Sequence, residues 1–339
     1  MNPQMEELLK KYAKYLSDYT SDTAIRNGAL FIDNTLKENE GSSIPEETLC
    51  RIASDVNRNI HYSNSLIGIQ ACQEKVDDDG KVITLGYALR FCGETKNEDG
   101  MDEVGLEIKQ YKKELKTEPL KVKMLPKDSP QIKEINALHE IDAEKELEDL
   151  VCWEIASELT QRCNASVKSV IKNETDWSYS GVGDKSERWK KEVFRTLYTT
   201  MLNASEKIAR DTRQGPGNVY FVSPKACVAL QSLKEFEPAK IDENVIMGVL
   251  FGEIGQIHGT KIIRDTFAYV DSGKDTVIIG YKGSRESEAG VMLLLHSIII
   301  GDDNRISIKY ALITEGAEDY YHRINVDFNM EEDKENEDE

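Results

Sequence analysis

The segment DAEKELEDLVCWEIASELTQRCNASVKSVIK (142–172) carries an apolar residue at every fourth position. The apolar series is Ala143, Leu147, Val151, Ile155, Leu159, Cys163, Val167 and Ile171. Each step of four turns an α-helix by about 400°, so the apolar stripe drifts around the helix by about 40° per step. Asp142 is a suitable N-cap, and Lys168 and Lys172 suit the negative end of the helix. We predict one spine helix over 142–172, about 45 Å long, that crosses several different elements.

The N-terminal section of the chain is polar and predicted to be helical. Its periodicity indicates three helices, over 4–18, 22–38 and 46–58, with Gly41, Ser42 and Ser43 marking a break. We therefore predict that 1–63 is an N-terminal arm lying on another surface. A second long helix is predicted over 186–211, before the loop RQGPGN (213–218).

From Ser65 the apolar period changes to two, which is typical of β-strands. SLIGIQACQ (65–73) and VITLGYALRFC (82–92) flank the turn DDDG (77–80). The polar stretch 93–103 is followed by alternation at 104–108 and 120–124, so we predict a long projecting hairpin over about 76–120. Its polar tip is expected to have no apolar surface to fold back on. Further strands are predicted at 219–223, 276–283, 291–300, 306–312 and 324–328 and within 245–270, which gives an α+β fold without βαβ repeats.

Charge and hydropathy exclude several classes of protein. The 339 residues carry a formal net charge of −19. The tail EEDKENEDE (331–339) holds seven acids and one lysine, which leaves −13 on the rest of the chain. Such a chain lacks the Lys/Arg surface that nucleic-acid binding needs, and anionic membranes are disfavoured for the same reason. The longest apolar run, VMLLLHSIII (291–300), is about half the length that spans a bilayer, so it predicts a buried strand.

The cysteines and histidines do not form recognisable sites. Cysteine occurs at Cys50, Cys72, Cys92, Cys152, Cys163 and Cys227, without a CxxC pair, which indicates reduced thiols. The five histidines (His61, His139, His258, His296, His322) are far apart in the sequence. We therefore predict no metal site and no cofactor.

No sequence motif supports catalysis. The chain has no GxSxG, GxxxxGK[ST], HExxH or GxGxxG pattern, and we predict no catalytic residue. Asp77, Asp78 and Asp79 predict a solvated turn, because no twelve-residue calcium loop follows them. Lys282 in GYKG (280–283) predicts a bend in preference to an anion-binding nest. The alternative of an enzyme with an unrecognised site, such as a hydrolase using Asp302 and Asp303, stays open.

Four segments, in order, resemble the major capsid proteins of T-even-type tailed bacteriophages, which have the Hong Kong 97-type capsid fold. They are GIQACQ…GYALRF (68–91), PLKVKMLPKDSPQIKEINALHEIDAEKELEDLVCWEIASEL (119–159), EKIARDTRQGPGNVYFVSP (206–224) and IIGYKGSRESEAGVMLLL (278–295). The resemblance covers about 64–313. The chain is shorter than is usual for that family, and the stretch 93–103 leaves no room for a large insertion in the extended loop (E-loop).

The resemblance implies a division of the chain into the parts of that capsid fold. These are the N-terminal arm (1–63), the E-loop hairpin with flanking strands (64–125), the peripheral domain with its spine helix (126–210), the axial domain (211–285), return strands (286–330) and the acidic tail (331–339).

The implied function is that of a major capsid protein, which assembles with itself into hexamers and pentamers of an icosahedral shell. The shell encloses DNA without binding it specifically, and scaffold, portal, vertex or decoration proteins are further expected partners. The protein is expected in the virion, made and assembled in the host cytoplasm, without membrane contact. Alternatives are a pentameric vertex paralogue, an encapsulin-like shell protein, and a phage tail or baseplate protein.

The resemblance also implies candidate processing sites. Relatives are cut after glutamate in an Ile/Leu-x-Glu context, which occurs in the arm at Leu36-Lys37-Glu38 and Ile44-Pro45-Glu46. The same pattern recurs elsewhere, for example before Glu134, so it has little specificity. We predict that the chain is used uncut, with 1–60 as a permanent arm or an assembly-guiding segment.

Overall fold

The computed structural model describes residues 3–19, 21–63, 66–96, 102–123, 129–139, 143–179, 190–239, 252–265, 275–301 and 305–328. The helices are α1 (Pro3–Leu16), α2 (Asp22–Glu38), α3 (Glu46–Ser63), α4 (Pro130–His139), α5 (Ala143–Val170), α6 (Lys190–Thr212) and α7 (Pro224–Gln231). The strands are β1 (Gly68–Ala71), β2 (Glu74–Val76), β3 (Val82–Lys96), β4 (Asp102–Glu114), β5 (Lys116–Lys123), β6 (Asn173–Ser178), β7 (Val219–Val222), β8 (Phe236–Pro238), β9 (Glu253–Ile257), β10 (Thr260–Arg264), β11 (Asp275–Gly280), β12 (Met292–Ile300), β13 (Arg305–Ile313) and β14 (Tyr321–Asp327). The predicted α+β class is confirmed.

The first compact unit comprises 1–168 and 285–315. It contains a four-stranded sheet in the order β1-β12-β13-β5 and a separate three-stranded sheet in the order β2-β3-β4. Strand β12 is the predicted apolar run 291–300, and nearly all of its side chains are buried. It lies between β1, which runs parallel to it, and β13, which runs antiparallel.

Helix α2 packs on this sheet through apolar and amide side chains. Phe31 and Ile32 are fully buried. The Asn27 side chain donates to the carbonyl of Ile69 (3.0 Å) and accepts from the N–H of Ala71 (3.2 Å), so it satisfies the backbone of edge strand β1. Helix α2 of the N-terminal segment, which was predicted to be an arm lying on another surface, is thus packed into the first unit.

Helix α5 confirms the predicted drifting stripe. Ile155, Leu159, Cys163 and Val167 are buried, whereas Leu147 and Val151, near the start of the helix, are half-buried. The helix meets different neighbours along its length. The Cys152 thiol lies 3.9 Å from the Ile52 carbonyl of α3, and Arg162 pairs with Glu118 of β5.

The second compact unit comprises 169–284 and 316–339. Its seven-stranded mixed sheet has the order β6-β14-β11-β7-β10-β9-β8. Apolar residues of α6 and α7 form a core with this sheet, including Leu197, Met201, Ile208, Leu230, Val222, Val277, Ile279 and Ile324.

The compact units cut across the predicted domain boundaries. The first boundary falls in the last turn of α5 at 168/169, inside the predicted peripheral domain 126–210. The last falls at 315/316, inside the predicted return segment 286–330. The physical reason is that β12 and β13 pair with β1 and β5 and therefore join the N-terminal half of the chain. The assignment of these units to the parts of a capsid subunit stays a prediction.

Candidate functional site

The most prominent surface feature is the hairpin sheet formed by β2, β3 and β4. Strand β3 pairs antiparallel with β4 from Ile83 opposite Glu114 to Lys96 opposite Asp102, and β2 pairs with the start of β3. The predicted hairpin is therefore present. Strand β1 is not part of it, and β5 returns to the main sheet beside β13.

The inner face of β3 is buried against β12 and β13. Thr84, Gly86, Ala88 and Arg90 point to this side. A Cβ atom on Gly86 would lie 2.6 Å from the Leu294 side chain, which is closer than real Cβ contacts come. Glycine at this position thus allows the hairpin stem to lie directly on the sheet.

The outer face of the hairpin carries exposed apolar side chains towards its distal part. Tyr87 and Ile108 are 50 % and 66 % exposed, and Leu85 and Leu106 are further exposed apolar side chains on the same face. Val76 and Val82 are also exposed, but they pair with each other in phase with Glu74 and Thr84 and so lie on the other face of the hairpin sheet. Cross-strand pairing places Ile108 opposite Leu89 and Leu106 opposite Phe91, so the apolar strip is continuous. A contiguous apolar surface of this kind marks an interaction site.

The sequence reasoning missed this apolar face. It expected a polar tip without an apolar surface; 97–101, which contain the tip, lie outside the described residues. The available signal was the alternation itself: Leu85, Tyr87, Leu89 and Phe91 form the more apolar side of β3, and in the structure the side with the smaller and polar residues packs inward. An open groove of about 340 Å³ shares Leu85 with this face and is also lined by Met5, Leu8, Leu30 and Lys75.

An ionic cluster at the base of the hairpin joins four elements of the first unit. The Lys309 ammonium lies 2.7 Å from a Glu38 carboxylate oxygen and 2.6 Å from one of Glu74. The His296 ring nitrogens lie 3.9 Å from Glu38 and 4.0 Å from Glu74. Burial lowers the pKa of His296 and the Lys309 charge lowers it further, while the hydrogen bond from Lys309 lowers the pKa of Glu74.

Glu38, Glu74 and His296 are the one group in the described part of the chain whose ligand atoms are close enough for a metal ion. Lys309 already supplies the positive charge between the two carboxylates. A cation would have to displace a charged lysine, so the geometry supports an ion-pair network that holds α2 and β2 to the sheet.

The two candidate processing residues lie in different environments. Glu38 is the last residue of α2, and its carboxylate is bound by Lys309. The next residue, Asn39, is buried: its side chain donates to the Ile298 carbonyl (2.8 Å) and accepts from the Ile300 N–H (2.9 Å). Glu46 is the exposed first residue of α3. The residue that follows Glu38 is therefore buried, whereas Glu46 itself is exposed.

The other residues singled out from the sequence have structural roles where they are described. The Asp77 carboxylate accepts from the N–H groups of Asp79 (3.1 Å) and Lys81 (2.8 Å), as in a turn. The Lys282 N–H donates to the side-chain amide oxygen of Asn218 (3.1 Å), so this backbone donor is bonded within the protein. Asp302 and Asp303 lie outside the described residues.

Five of the cysteines are buried free thiols, namely Cys50, Cys72, Cys152, Cys163 and Cys227. Burial raises the pKa of Cys163 to about 12. The side chain of Cys92 lies outside the described residues. Buried thiols with raised pKa values are poor nucleophiles and poor metal ligands.

Comparison with known families identifies the chain. The family described as Major capsid protein Gp23 matches residues 33–293, well over half of the sequence. The chain belongs to this family. The resemblance to T-even-type capsid proteins is thereby confirmed, and 33–293 includes the hairpin, α5 and most of the second unit.

Curated relatives of the Gp23 family are similar over part of their length. The major capsid protein of Vibrio phage KVP40 is 24 % identical over 233 residues, which cover 64 % of this chain and 44 % of the relative. That of Enterobacteria phage T4 is 26 % identical over 227 residues, covering 59 % and 40 %. The chain thus spans less than half the length of the curated relatives that it matches.

Solved phage structures are similar at low identity. The capsid of Myoviridae phage XM1 has a TM-score of 0.36 at 8 % identity, covering 79 % of this chain and 90 % of that one. A structure of Microbacterium phage Oxtober96 has a TM-score of 0.41 at 10 % identity, covering 78 % and 90 %. At these scores the similarity says nothing about individual domains. In the described part of the chain, no helix is both long enough and apolar enough to cross a membrane.

Proposed function

We propose that this chain is a structural subunit of a bacteriophage head shell that assembles with copies of itself and is not an enzyme. The observation that supports this most directly is the exposed apolar outer face of the hairpin in a chain of the Gp23 family. An isolated subunit would leave Tyr87, Leu106 and Ile108 in water. Burying such a strip against another copy stabilises the assembly by about 25 cal/mol per Å² of apolar surface.

In this proposal the protein serves as a building block of the shell. Copies form hexamers and pentamers, and many weak contacts give avidity that one contact lacks. The net charge of −19 would leave enclosed DNA unbound. The proposed location is the virion, with assembly in the host cytoplasm; scaffold, portal, vertex and decoration proteins would be the other partners. A pentameric vertex subunit is the alternative within the same architecture.

Trimming the hairpin tip tests this proposal. Removing 94–102 is expected to leave a folded subunit that assembles poorly, because the inner face of β3 still packs on β12 and β13 while the projecting part is lost. Circular dichroism would report folding, and negative-stain imaging beside the full-length chain would count particles. Normal particles from the trimmed chain would show that the hairpin has no role between subunits. Trimers or rings formed by the full-length chain would favour a tail protein instead.

We further propose that the chain is used uncut, and the surroundings of Glu38 support this at one of the two candidate sites. Proteases act on exposed, poorly ordered backbone, whereas the bond after Glu38 joins a helix end to buried Asn39. The exposed Glu46 offers the more accessible bond. Mass spectrometry of subunits from mature particles is expected to show an uncut N-terminal segment. A species beginning at Asn39 or Glu47 would contradict this expectation.

A further inference from the structure

Arg90 is a buried arginine at the centre of the hairpin stem. It lies on the inner face of β3 and is 3 % exposed. Its guanidinium donates to the backbone carbonyls of Ala289 (2.8 Å), Gly290 and Glu315 (3.1 Å). A further donor reaches the carbonyl of neighbouring Leu89 (3.0 Å). One side chain of the hairpin thus binds the backbone of two segments that are distant in sequence.

These two segments are the places where the chain passes between its compact units. Ala289 and Gly290 precede β12, and Glu315 follows β13. The pairing of Met292 with Ile313 brings these ends of the two strands together. The first unit includes 285–315, and the chain continues into the second unit at both ends of that range. Arg90 therefore binds both connecting segments at the ends that belong to the first unit.

Neighbouring residues of the hairpin strengthen both contacts. At the first connection, the Leu89 N–H donates to the Ser287 carbonyl (2.8 Å). At the second, Lys113 of β4 forms an ion pair with the Glu315 carboxylate, and the Tyr111 hydroxyl lies 3.4 Å from the Glu315 carbonyl. The Arg90 guanidinium lies 5.9 Å from the centre of the Tyr111 ring.

A buried guanidinium is stable only if its donors are bonded, because burying a charge without partners is costly. Arginine has five donors in a planar fork, whereas lysine presents three from one nitrogen. Few other side chains could reach carbonyls on two separate segments. The bonds to the two connections consequently depend on each other: loosening one moves the guanidinium and exposes the other.

We propose that Arg90 couples the hairpin stem to both connections, so that a disturbance at one connection loosens the other and a contact on the hairpin orders both. This inference goes beyond the shell function, since it concerns the unassembled chain. It makes Arg90 a positioning residue, through which contact at the outer face of the hairpin is passed to the two segments that lead into the second unit.

Hydrogen exchange followed by mass spectrometry on the unassembled full-length chain tests the coupling. The deciding variant is Lys113→Met, which removes an ion pair at the second connection only. We expect amide exchange to rise several-fold at 314–317 and also at 286–291. The matched control is Lys112→Met, the adjacent lysine, whose ammonium instead lies 3.2 Å from Asp77. That variant should leave amide exchange at both connections unchanged.

Arg90→Met is the stronger variant and is expected to raise exchange at both connections about tenfold or more. Arg90→Lys should resemble it, because lysine cannot span both segments. A rise confined to 314–317 in Lys113→Met, or no rise, would overturn the proposal even if Arg90→Met fails to fold. Since the readout needs no particles, it is independent of whether the shell proposal holds.

Discussion

Replacing Ile155 with aspartate is expected to abolish soluble, folded expression of this chain. Ile155 is fully buried in the middle of the α5 stripe. The new carboxylate would be buried without a counter-charge at a cost of several kcal/mol, against a total stability of about 5–15 kcal/mol. Soluble yield and the thermal unfolding midpoint measure the effect.

The matched control is Leu150→Asp on the same helix. Leu150 is 48 % exposed, so its replacement should change stability by only about 0.5 kcal/mol. If the Ile155 variant behaves like this control, the buried face of α5 has been assigned wrongly.

The double change Tyr87→Lys and Ile108→Lys is expected to leave the subunit folded and to reduce particle yield about tenfold or more. Both side chains project from the outer face of the hairpin and are at least half exposed, so the fold does not depend on them. Placing two charges in an apolar contact between copies would oppose association, because the charges would have to be desolvated. Analytical ultracentrifugation of purified protein separates free subunits from particles.

Val228→Lys serves as the control for this double change. Val228 is 67 % exposed on α7 of the second unit, so its replacement introduces the same chemistry at another exposed apolar position. A comparable loss of particles in the control would show that added charge, and not the hairpin face, causes the defect. Particles at normal yield from the double variant would remove the outer face from the assembly interface.

The sequence predicted the long helices well because their determinants are local, whereas the short helix α4 was not predicted. Helix α2 spans Asp22–Glu38, the predicted range, and α5 spans Ala143–Val170 within the predicted 142–172. Helical hydrogen bonds join residues four apart, so the period of apolar residues records which face is buried. The stripe of α5 even indicated that the helix meets different neighbours along its length.

Which strands pair with each other was much harder to predict from the sequence. The sequence suggested that β1 and β3 flank one turn, whereas β1 pairs with β12, from Gly68 opposite Met292 to Ala71 opposite Leu295. The N-terminal segment likewise looked polar enough to be a separate arm. Its attachment depends on amides such as Asn27 and Asn39, whose backbone partners lie far away in the sequence.

The amino-acid sequence by itself determined the α+β class, the long helix α5, the existence of the hairpin and the pattern that places Glu38 before a candidate cleavage point. Only the tertiary structure decided which face of the hairpin is buried and that Glu38 is held by Lys309. The reason is that the alternation in β3 separates Leu85, Tyr87 and Leu89 from the smaller or polar residues between them but does not say which set packs inward. At Gly86 that choice is made by Leu294 and Ile313, which lie more than two hundred residues further along the chain.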